Sequence, residues 1–196
     1  MNLKHYNYYL VVDLEATCCD KQATIKQTEM EIIEIGAVMV EAENLNIVDE
    51  FQSFIKPIRH PILTEFCKSL ISIAQTQVDR APTYPEAILF EGFANALLRK
   101  WLSGYSNGVF GSWGDFDRKQ FQQDSDFHKV PFPIAYPHVN LKQLFSEKQG
   151  LRKRLGMAKA LQLVGLPLEG THHRGIDDAR NIAKLLPYML EQKQLA

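Results

Sequence analysis

Cysteine is scarce in this sequence, and its scarcity excludes two classes of protein. The 196 residues include three cysteines, Cys18, Cys19 and Cys67, with two of them adjacent and no CxxC pair. An odd number at this spacing is typical neither of a disulfide framework nor of a zinc site. We therefore expect a reducing compartment, the cytoplasm.

Long apolar runs and an excess of charge are also missing. No apolar run approaches the ~18 residues of a membrane-spanning helix, and Met1–Tyr9 is polar and aromatic, unlike a secretory signal. We therefore expect no membrane partner. The net charge is −1, whereas proteins that bind nucleic acid by electrostatics alone usually carry a basic excess. Any contact with nucleic acid must then be local or aided by bound cations.

What the sequence does contain is the composition of a folded domain. Hydrophobic residues make up 45% of the chain and charged residues 23%, which is an ordinary globular balance. At this length we expect a single domain over residues 1–196, with its core at about 8–190 and no obligate protein partner.

Apolar periodicity predicts an α/β domain with a mixed central sheet. The apolar runs Tyr8–Val12, Ile32–Val40 and Ile47–Ile55 predict three strands in an antiparallel meander. From Glu86 the pattern becomes that of a helix, whose apolar stripe contains Phe90, Phe93, Ala94, Leu97, Leu98, Trp101 and Leu102. This order of elements, continued by one more strand and further helices, is typical of an α/β sheet that is not purely parallel.

The second half of the chain is predicted to be mainly helical. A short strand, Val109–Ser112, is followed by a helical segment through Arg118–Gln122 and an irregular stretch that contains Pro131, Pro133 and Pro137. The remaining predicted helices are Leu141–Glu147, Gly156–Val164 and Ile176–Glu191, the last kinked or interrupted at Pro187.

Asp13, Leu14 and Glu15 directly follow the first apolar run. Because strand side chains alternate, Asp13 and Glu15 point to one face and Leu14 to the other. Two carboxylates at the end of a buried strand repel each other unless cations lie between them, and oxygen-rich clusters suit Mg²⁺ or Mn²⁺. The alternative is a solvated strand end without function.

Asp115 and Asp117 stand at the start of a predicted helix. On a helix that begins at Asp115, that residue lies beside Arg118 and Lys119, whereas Asp117 lies beside Phe121 on the core side. An inward carboxylate needs a partner, and a metal ion is one. The alternative is that both acids only favour a helix N-terminus through its dipole.

His172, His173, Asp177 and Asp178 precede and begin the last predicted helix. Asp178 lies one turn before Ile182 and borders the buried stripe, whereas Asp177 faces solvent. His173 precedes Asp178 by five residues, so it could project over the same site. The alternatives are a histidine pair in a loop and acids that favour a helix end.

Together the three segments give inward-directed carboxylates from separate places in the chain, with one histidine nearby. This combination suits two divalent ions that polarise a phosphodiester and its attacking water. A histidine can take the proton from that water near neutral pH. The residues are Asp13, Glu15, Asp117, Asp178 and His173.

These residues resemble the DEDDh 3′→5′ exonucleases of the RNase H-like (DnaQ-like) superfamily, and within it the Eri-type (enhanced RNA interference) exoribonucleases. The segments that carry the resemblance run in family order between Leu10 and Leu186: VVDLEATCCD, EIIEIGAV, QTQVDRAP, SWGDFD and HHRGIDDARNIAKLL. The resemblance implies the RNase H-like fold, two bound Mg²⁺ that Mn²⁺ can replace, and release of 5′-mononucleotides. A paired end would have to be unstacked before it enters the site, so we expect a single-stranded 3′ end as substrate. The resemblance implies that RNA is preferred to DNA.

The resemblance also assigns roles to single residues. Ala16 and Thr17 match the segment beside the terminal nucleotide. Leu14 stands where many relatives carry Phe, and Leu70–Ile73 replaces the usual Leu-Thr-Gly-Ile, which concerns the shape of a loop and not the chemistry. The metal ligands implied are Asp13, Glu15, Asp117 and Asp178, and the general base is His173.

Residues outside this set could recognise substrate. Trp113 and Phe116 lie near the acids and could stack on bases; the alternative is a place in the core, which we favour for Phe116. A basic cluster near a late helix could contact phosphates, although a solvated charged face is the interpretation that we favour. Its members are Lys148, Arg152, Lys153, Arg154 and Lys159.

Two other functions remain open. The segment from Asp13 to Thr17 superficially resembles the motif of haloacid-dehalogenase phosphatases, with Asp177 and Asp178 as the late acids. That class expects Asp where Glu15 stands and forms a phospho-enzyme. The other function is a non-catalytic RNase H-like scaffold that binds RNA or a protein. Loss of metal ligands would mark such a scaffold, and here all are present.

Overall fold

The described part of the chain is organised around a five-stranded mixed sheet. A computed structural model describes residues 3–20, 25–88 and 97–195. The strands stand in the order β3-β2-β1-β4-β5, and they are β1 (Tyr8–Ala16), β2 (Ile32–Glu41), β3 (Ile47–Phe54), β4 (Gly108–Ser112) and β5 (His138–Asn140). β2 is antiparallel to both β1 and β3, whereas β4 is parallel to β1 and β5 is parallel to β4. The predicted meander and mixed sheet are confirmed.

Short helices flank this sheet. Within the described residues they are α1 (Glu65–Ile71), α2 (Gln75–Asp79), α3 (Tyr84–Ile88), α4 (Leu97–Leu102), α5 (Phe116–His128), α6 (Leu141–Lys148), α7 (Met157–Leu163), α8 (Gly175–Ala183) and α9 (Leu186–Met189). Among these residues no helix combines the length and the apolar character needed to cross a membrane.

Alternation along β1 decides which side of the sheet carries the acids. Val11 packs in a core with residues of α6, α7, α8 and α9, whereas Val12 packs in a second core with residues of α3, α4 and α5. Asp13 and Glu15 have the parity of Val11, so their side chains lie on the face that α8 covers.

β1 is longer than predicted. Its pairing with β2 continues beyond the apolar run, with Asp13 opposite Gly36 and Glu15 opposite Glu34. The two acids therefore lie inside the strand and not after it. The Pro-rich stretch also contains β5, which was not predicted because three residues carry too little periodicity.

The predicted terminal helix is interrupted, as expected, and forms α8 and α9. Pro187 lies in the first turn of α9, where its missing N–H has no intrahelical partner to lose. Helices α1 and α2 were not predicted, because five to seven residues cover too few turns to show a period. Of the predicted apolar stripe, Leu97–Leu102 forms α4, while Phe90, Phe93 and Ala94 lie outside the described residues.

Candidate active site

Three carboxylates from β1 and α8 meet on one face of the sheet. Asp13 and Glu15 project from β1, and Asp178 lies in the first turn of α8. One oxygen from each lies within 4.8 Å of the other two. Glu15 and Asp178 are buried, and Asp13 is partly exposed. The structure thus joins the first and third acidic segments of the sequence.

Two glycines allow α8 to come this close to the sheet. A Cβ on Gly36 would lie 2.0 Å from the carbonyl carbon of Gly175, and a Cβ on Gly175 would lie 2.9 Å from the backbone oxygen of Asp13. Any side chain at Gly36 would therefore push the helix away. The direct backbone contact is what carries Asp178 to the pair on β1.

The second acidic segment contributes Asp117. Asp115 is the exposed N-cap of α5, whereas Asp117 is 4% exposed and turned inward. Its Oδ1 accepts a hydrogen bond from the backbone N–H of Leu14, at 3.0 Å. This bond joins α5 to the segment of β1 between Asp13 and Glu15.

Burial raises the pKa of every acid in this cluster, and for Asp13 and Glu15 the charges of neighbouring acids raise it further. For Asp13 burial has the largest effect, followed by the charges of Asp117, Glu15 and Asp178. Burial raises the pKa of Glu15 to about 8 and that of Asp117 to about 6, and it also raises the pKa of Asp178. No N–H or O–H of the described residues donates a hydrogen bond to the carboxylate of Asp13 or Glu15. A cluster of unneutralised oxygen ligands fits hard divalent cations.

Both histidines lie at this cluster. Their rings stack with centroids 4.0 Å apart and an interplanar angle of 14°. Nδ1 of His172 lies 2.9 Å from Oδ2 of Asp178, while His173 donates its backbone N–H to the same oxygen at 3.0 Å. Burial, and then the charge of His172, lower the pKa of His173, against a smaller opposing effect of Asp178. His173 is therefore mainly neutral at pH 7 and able to accept a proton.

The contact of His172 with Asp178 did not follow from the sequence. Spacing singled out His173 alone, because two adjacent residues in regular structure point in different directions. The backbone of His173 has φ +64°, in the left-handed region. This turn brings the two rings to the same side, and sequence spacing carries no signal for it.

The cluster opens into a cavity of about 570 Å³, whose lining includes Trp113, Phe116, Met157 and Lys159. A hydrogen bond fixes the position of the Trp113 ring, since its Nε1 donates to the Leu155 carbonyl oxygen at 3.0 Å. The prediction that Phe116 belongs to the core is wrong. The side chain of Phe116 is 39% exposed, because at the start of α5 it is the side chain of the next residue, Asp117, that points toward the core.

The other predicted substrate contacts divide between buried and peripheral positions. Ala16 and Thr17 are both buried, and Thr17 accepts a hydrogen bond from the Glu31 N–H at 2.9 Å. Of the basic cluster, Lys159 lines the cavity, while Lys148 pairs with Glu191 at 2.8 Å. The apolar lining from α7, such as Met157, was missed because an uncharged residue gives no chemical signal.

The chain is similar to known nucleases over most of its length. The sequence profile of the exonuclease family (RNase_T) matches residues 10–186. The protein named probable 3′-5′ exonuclease KapD of Bacillus subtilis is 32% identical over 188 residues, which cover 96% of this chain and 87% of that protein. The 3′-5′ exonuclease eri1 of Schizosaccharomyces pombe is 30% identical, with 94% of this chain and 68% of that protein covered.

Solved structures agree with this similarity. The nuclease domain of 3′hExo, a DEDDh family member bound to rAMP, superposes with a TM-score of 0.85 at 27% identity, covering 96% of this chain and 94% of that one. The human 3′-5′ exoribonuclease 1 is 30% identical over 95% of this chain, but the match spans 53% of the human protein. The fold is therefore the RNase H-like fold of the DEDDh exonucleases, as predicted.

Proposed function

This chain belongs to the exonuclease family (RNase_T) and is an enzyme of the 3′–5′ exonuclease type, and we propose that it shortens single-stranded RNA from the 3′ end, releasing 5′-mononucleotides. The observation that carries the proposal is the convergence of Asp13, Glu15 and Asp178 within 4.8 Å at the cavity that Asp117 also lines. The same cavity is lined by His173, which is mainly neutral at pH 7.

The acids Asp13, Glu15, Asp117 and Asp178 would hold the divalent ions, which members of the DEDDh type generally use. We propose two Mg²⁺, with Mn²⁺ as a substitute. Their fit rests on the raised pKa values of these carboxylates, since a cation relieves the repulsion that burial makes costly. When bound, such ions polarise the phosphodiester and lower the pKa of the attacking water.

His173 would act as the general base. Its lowered pKa leaves the imidazole neutral near pH 7, so a ring nitrogen is free to take a proton. The backbone N–H of His173 is held by Asp178, which keeps its turn beside the acids. His172, whose ring contacts Asp178 directly, would be dispensable for proton transfer.

The rest of the cavity would receive the last nucleotide. Exposed Phe116 and the held ring of Trp113 offer faces for a base, and Lys159 offers a positive charge for a phosphate. Buried Ala16 and Thr17 would contribute through backbone beside the nucleotide. The preference for RNA is supported by relatives that are named exoribonucleases and by a neighbour that recognises a histone mRNA stem-loop.

The two rival functions lose their support. A haloacid-dehalogenase phosphatase would leave Asp117 and His173 without a role, although both line the same cavity as Asp13. A non-catalytic scaffold would be expected to lack part of the acidic set, which is complete. We also propose that residues 8–190 form one domain and that the protein works in the cytoplasm, where Cys18, Cys19 and Cys67 would stay free, as they are in the structure.

The decisive experiment compares two acids at the start of α5, the N-cap Asp115 and Asp117. Asp117→Asn removes an inward carboxylate, and Asp115→Asn removes an exposed one two residues away. Purified wild type and both variants are incubated with Mg²⁺ or EDTA and 5′-labelled RNA or DNA of equal sequence. We expect stepwise shortening of RNA by the wild type and by Asp115→Asn, and none by Asp117→Asn or in EDTA.

The same assay can overturn the proposal. Cleavage of circular RNA would show internal cutting and exclude an exonuclease. A phospho-enzyme trapped during turnover would support the phosphatase instead. A clear preference for DNA would leave the mechanism in place but remove the proposed substrate.

A further inference from the structure

Glu34 is a buried acid beside the candidate active site that the proposed chemistry does not use. It lies on β2 directly opposite Glu15, so the two side chains share one face of the sheet. Glu34 has no solvent exposure at all. A buried carboxylate without partners would be strongly unfavourable, so its contacts indicate its role.

The carboxylate of Glu34 is saturated with donors. Oε2 accepts from Nε of Arg174 and from the backbone N–H of Gly175, both at 3.1 Å. Oε1 accepts from the Gln52 side chain at 2.6 Å and from a second Arg174 nitrogen at 3.3 Å. With both oxygens engaged, Glu34 is not a free metal ligand as Asp13 and Glu15 are.

On α8, Glu34 binds the two residues that directly follow the histidines, Arg174 through its side chain and Gly175 through its backbone N–H. Arg174 directly follows His173 and is the N-cap of α8, and Gly175 is the first residue of that helix. The Arg174 guanidinium also makes a cation–π contact, with its Cζ 5.3 Å from the ring centroid of Phe54. At this point the helix touches β2 backbone to backbone, through Gly36.

We infer that Glu34 is a positioning residue, which fixes Arg174 and Gly175 and thereby the orientation of His173 toward the cavity. On the side that precedes His173, the turn is held by the Thr171 N–H on Asp177 and by the contact of His172 with Asp178. On the side that follows His173, Glu34 binds both Arg174 and Gly175. This inference rests on the proposed function, in which His173 accepts the proton.

If Glu34 had only a structural role, it would stabilise the protein without affecting the reaction. A second acid that binds α8 to the sheet provides a matched control. Arg180, later on the same helix, pairs with Glu50 on β3. Glu50→Gln therefore removes the charge of an ion pair between α8 and the sheet that lies further along the helix. Glu34→Gln removes the charge that faces Arg174 and Gly175, keeping size and shape.

The experiment measures kcat and KM for single-stranded RNA in Mg²⁺ for wild type, Glu34→Gln and Glu50→Gln. Imidazole resonances of the metal-free proteins, labelled in histidine, report the ring of His173 directly. We expect Glu34→Gln to lower kcat by roughly 10²-fold, since small misplacements of a reacting group have effects of that order. We expect KM to stay within about twofold, because a group that acts in the transition state affects kcat more than substrate binding. The His173 resonance should move or broaden, and Glu50→Gln should match wild type in all three.

Arg174→Lys provides a second route if Glu34→Gln fails to fold, since it keeps the charge but loses the two-nitrogen contact. The inference is overturned if a folded Glu34→Gln or Arg174→Lys keeps the wild-type kcat and the wild-type His173 resonance. His173→Ala, measured in parallel, separates this from the proposed function. Full activity of His173→Ala would disprove the assignment of His173 as general base. An inactive His173→Ala, together with a Glu34→Gln variant that behaves as wild type, would disprove only the role of Glu34.

Discussion

Replacing Glu15 with Gln should stabilise the metal-free protein while abolishing its activity. In the folded protein burial raises the pKa of Glu15 from 4.5 to about 8, and the charges of neighbouring acids add to this. Between these two pH values the folded state keeps a proton that the unfolded state has lost. The wild type therefore loses stability as pH rises from 4.5 to 8, and the loss is complete above that range.

The size of this effect follows from the pKa. A tenfold change in proton affinity is worth about 1.4 kcal/mol, so the upper bound for Glu15 is about 5 kcal/mol. Water and salt reach the open side of the cavity, and we expect roughly half of that bound to be measured. Gln has the same shape and no charge, so Glu15→Gln removes this contribution.

The assay is urea unfolding in EDTA at several pH values between 5 and 9, repeated in Mg²⁺. We expect the stability difference between Glu15→Gln and wild type to grow by about 2–3 kcal/mol across this range. Saturating Mg²⁺ should then stabilise the wild type, by about 2.7 kcal/mol at a hundred times the dissociation constant, and stabilise the variant much less. Asp115→Asn, an exposed acid, should behave as wild type. The reasoning fails if Glu15→Gln and wild type show the same pH slope and the same response to Mg²⁺.

Three further predictions concern other parts of the molecule. His173→Ala should lower kcat by ~10²–10⁴ and His172→Ala far less, because only the first is placed as the base; equal effects in steady-state assays would mean that the assignment is wrong. Asp124, which accepts from Gln120 and has a pKa raised to about 7 mainly by burial, should make the protein less stable as pH rises from about 4 to 7. Asp124→Asn should flatten that slope in thermal unfolding, and the exposed Asp126→Asn should not. RNA affinity should fall only about threefold to sevenfold between 50 and 200 mM salt, as for one or two phosphate contacts to a single strand; a much steeper fall in a binding titration would reveal an extended basic surface.

The local sequence pattern is sufficient to predict the direction in which most of the acidic side chains point. A period of two along β1 puts Asp13 and Glu15 on one face, and helical spacing turns Asp117 inward and Asp115 outward. These directions depend only on backbone geometry near each residue, so the sequence alone predicts them. The strands of the meander could be predicted for the same reason, since their apolar runs are long.

Tertiary contacts decided the rest. Asp178 reaches the β1 acids because Gly36 and Gly175 let two backbones touch, and no periodicity encodes a contact between residues so far apart in the chain. Phe116 is exposed because its neighbour Asp117 takes the inward direction, which a hydrophobicity scale cannot foresee. The stacked histidines depend on a single left-handed residue, His173, and the role of Glu34 depends on donors from β3 and α8. Local pattern identifies the residues that could do the chemistry, whereas the packing of α8 on the sheet brings them together.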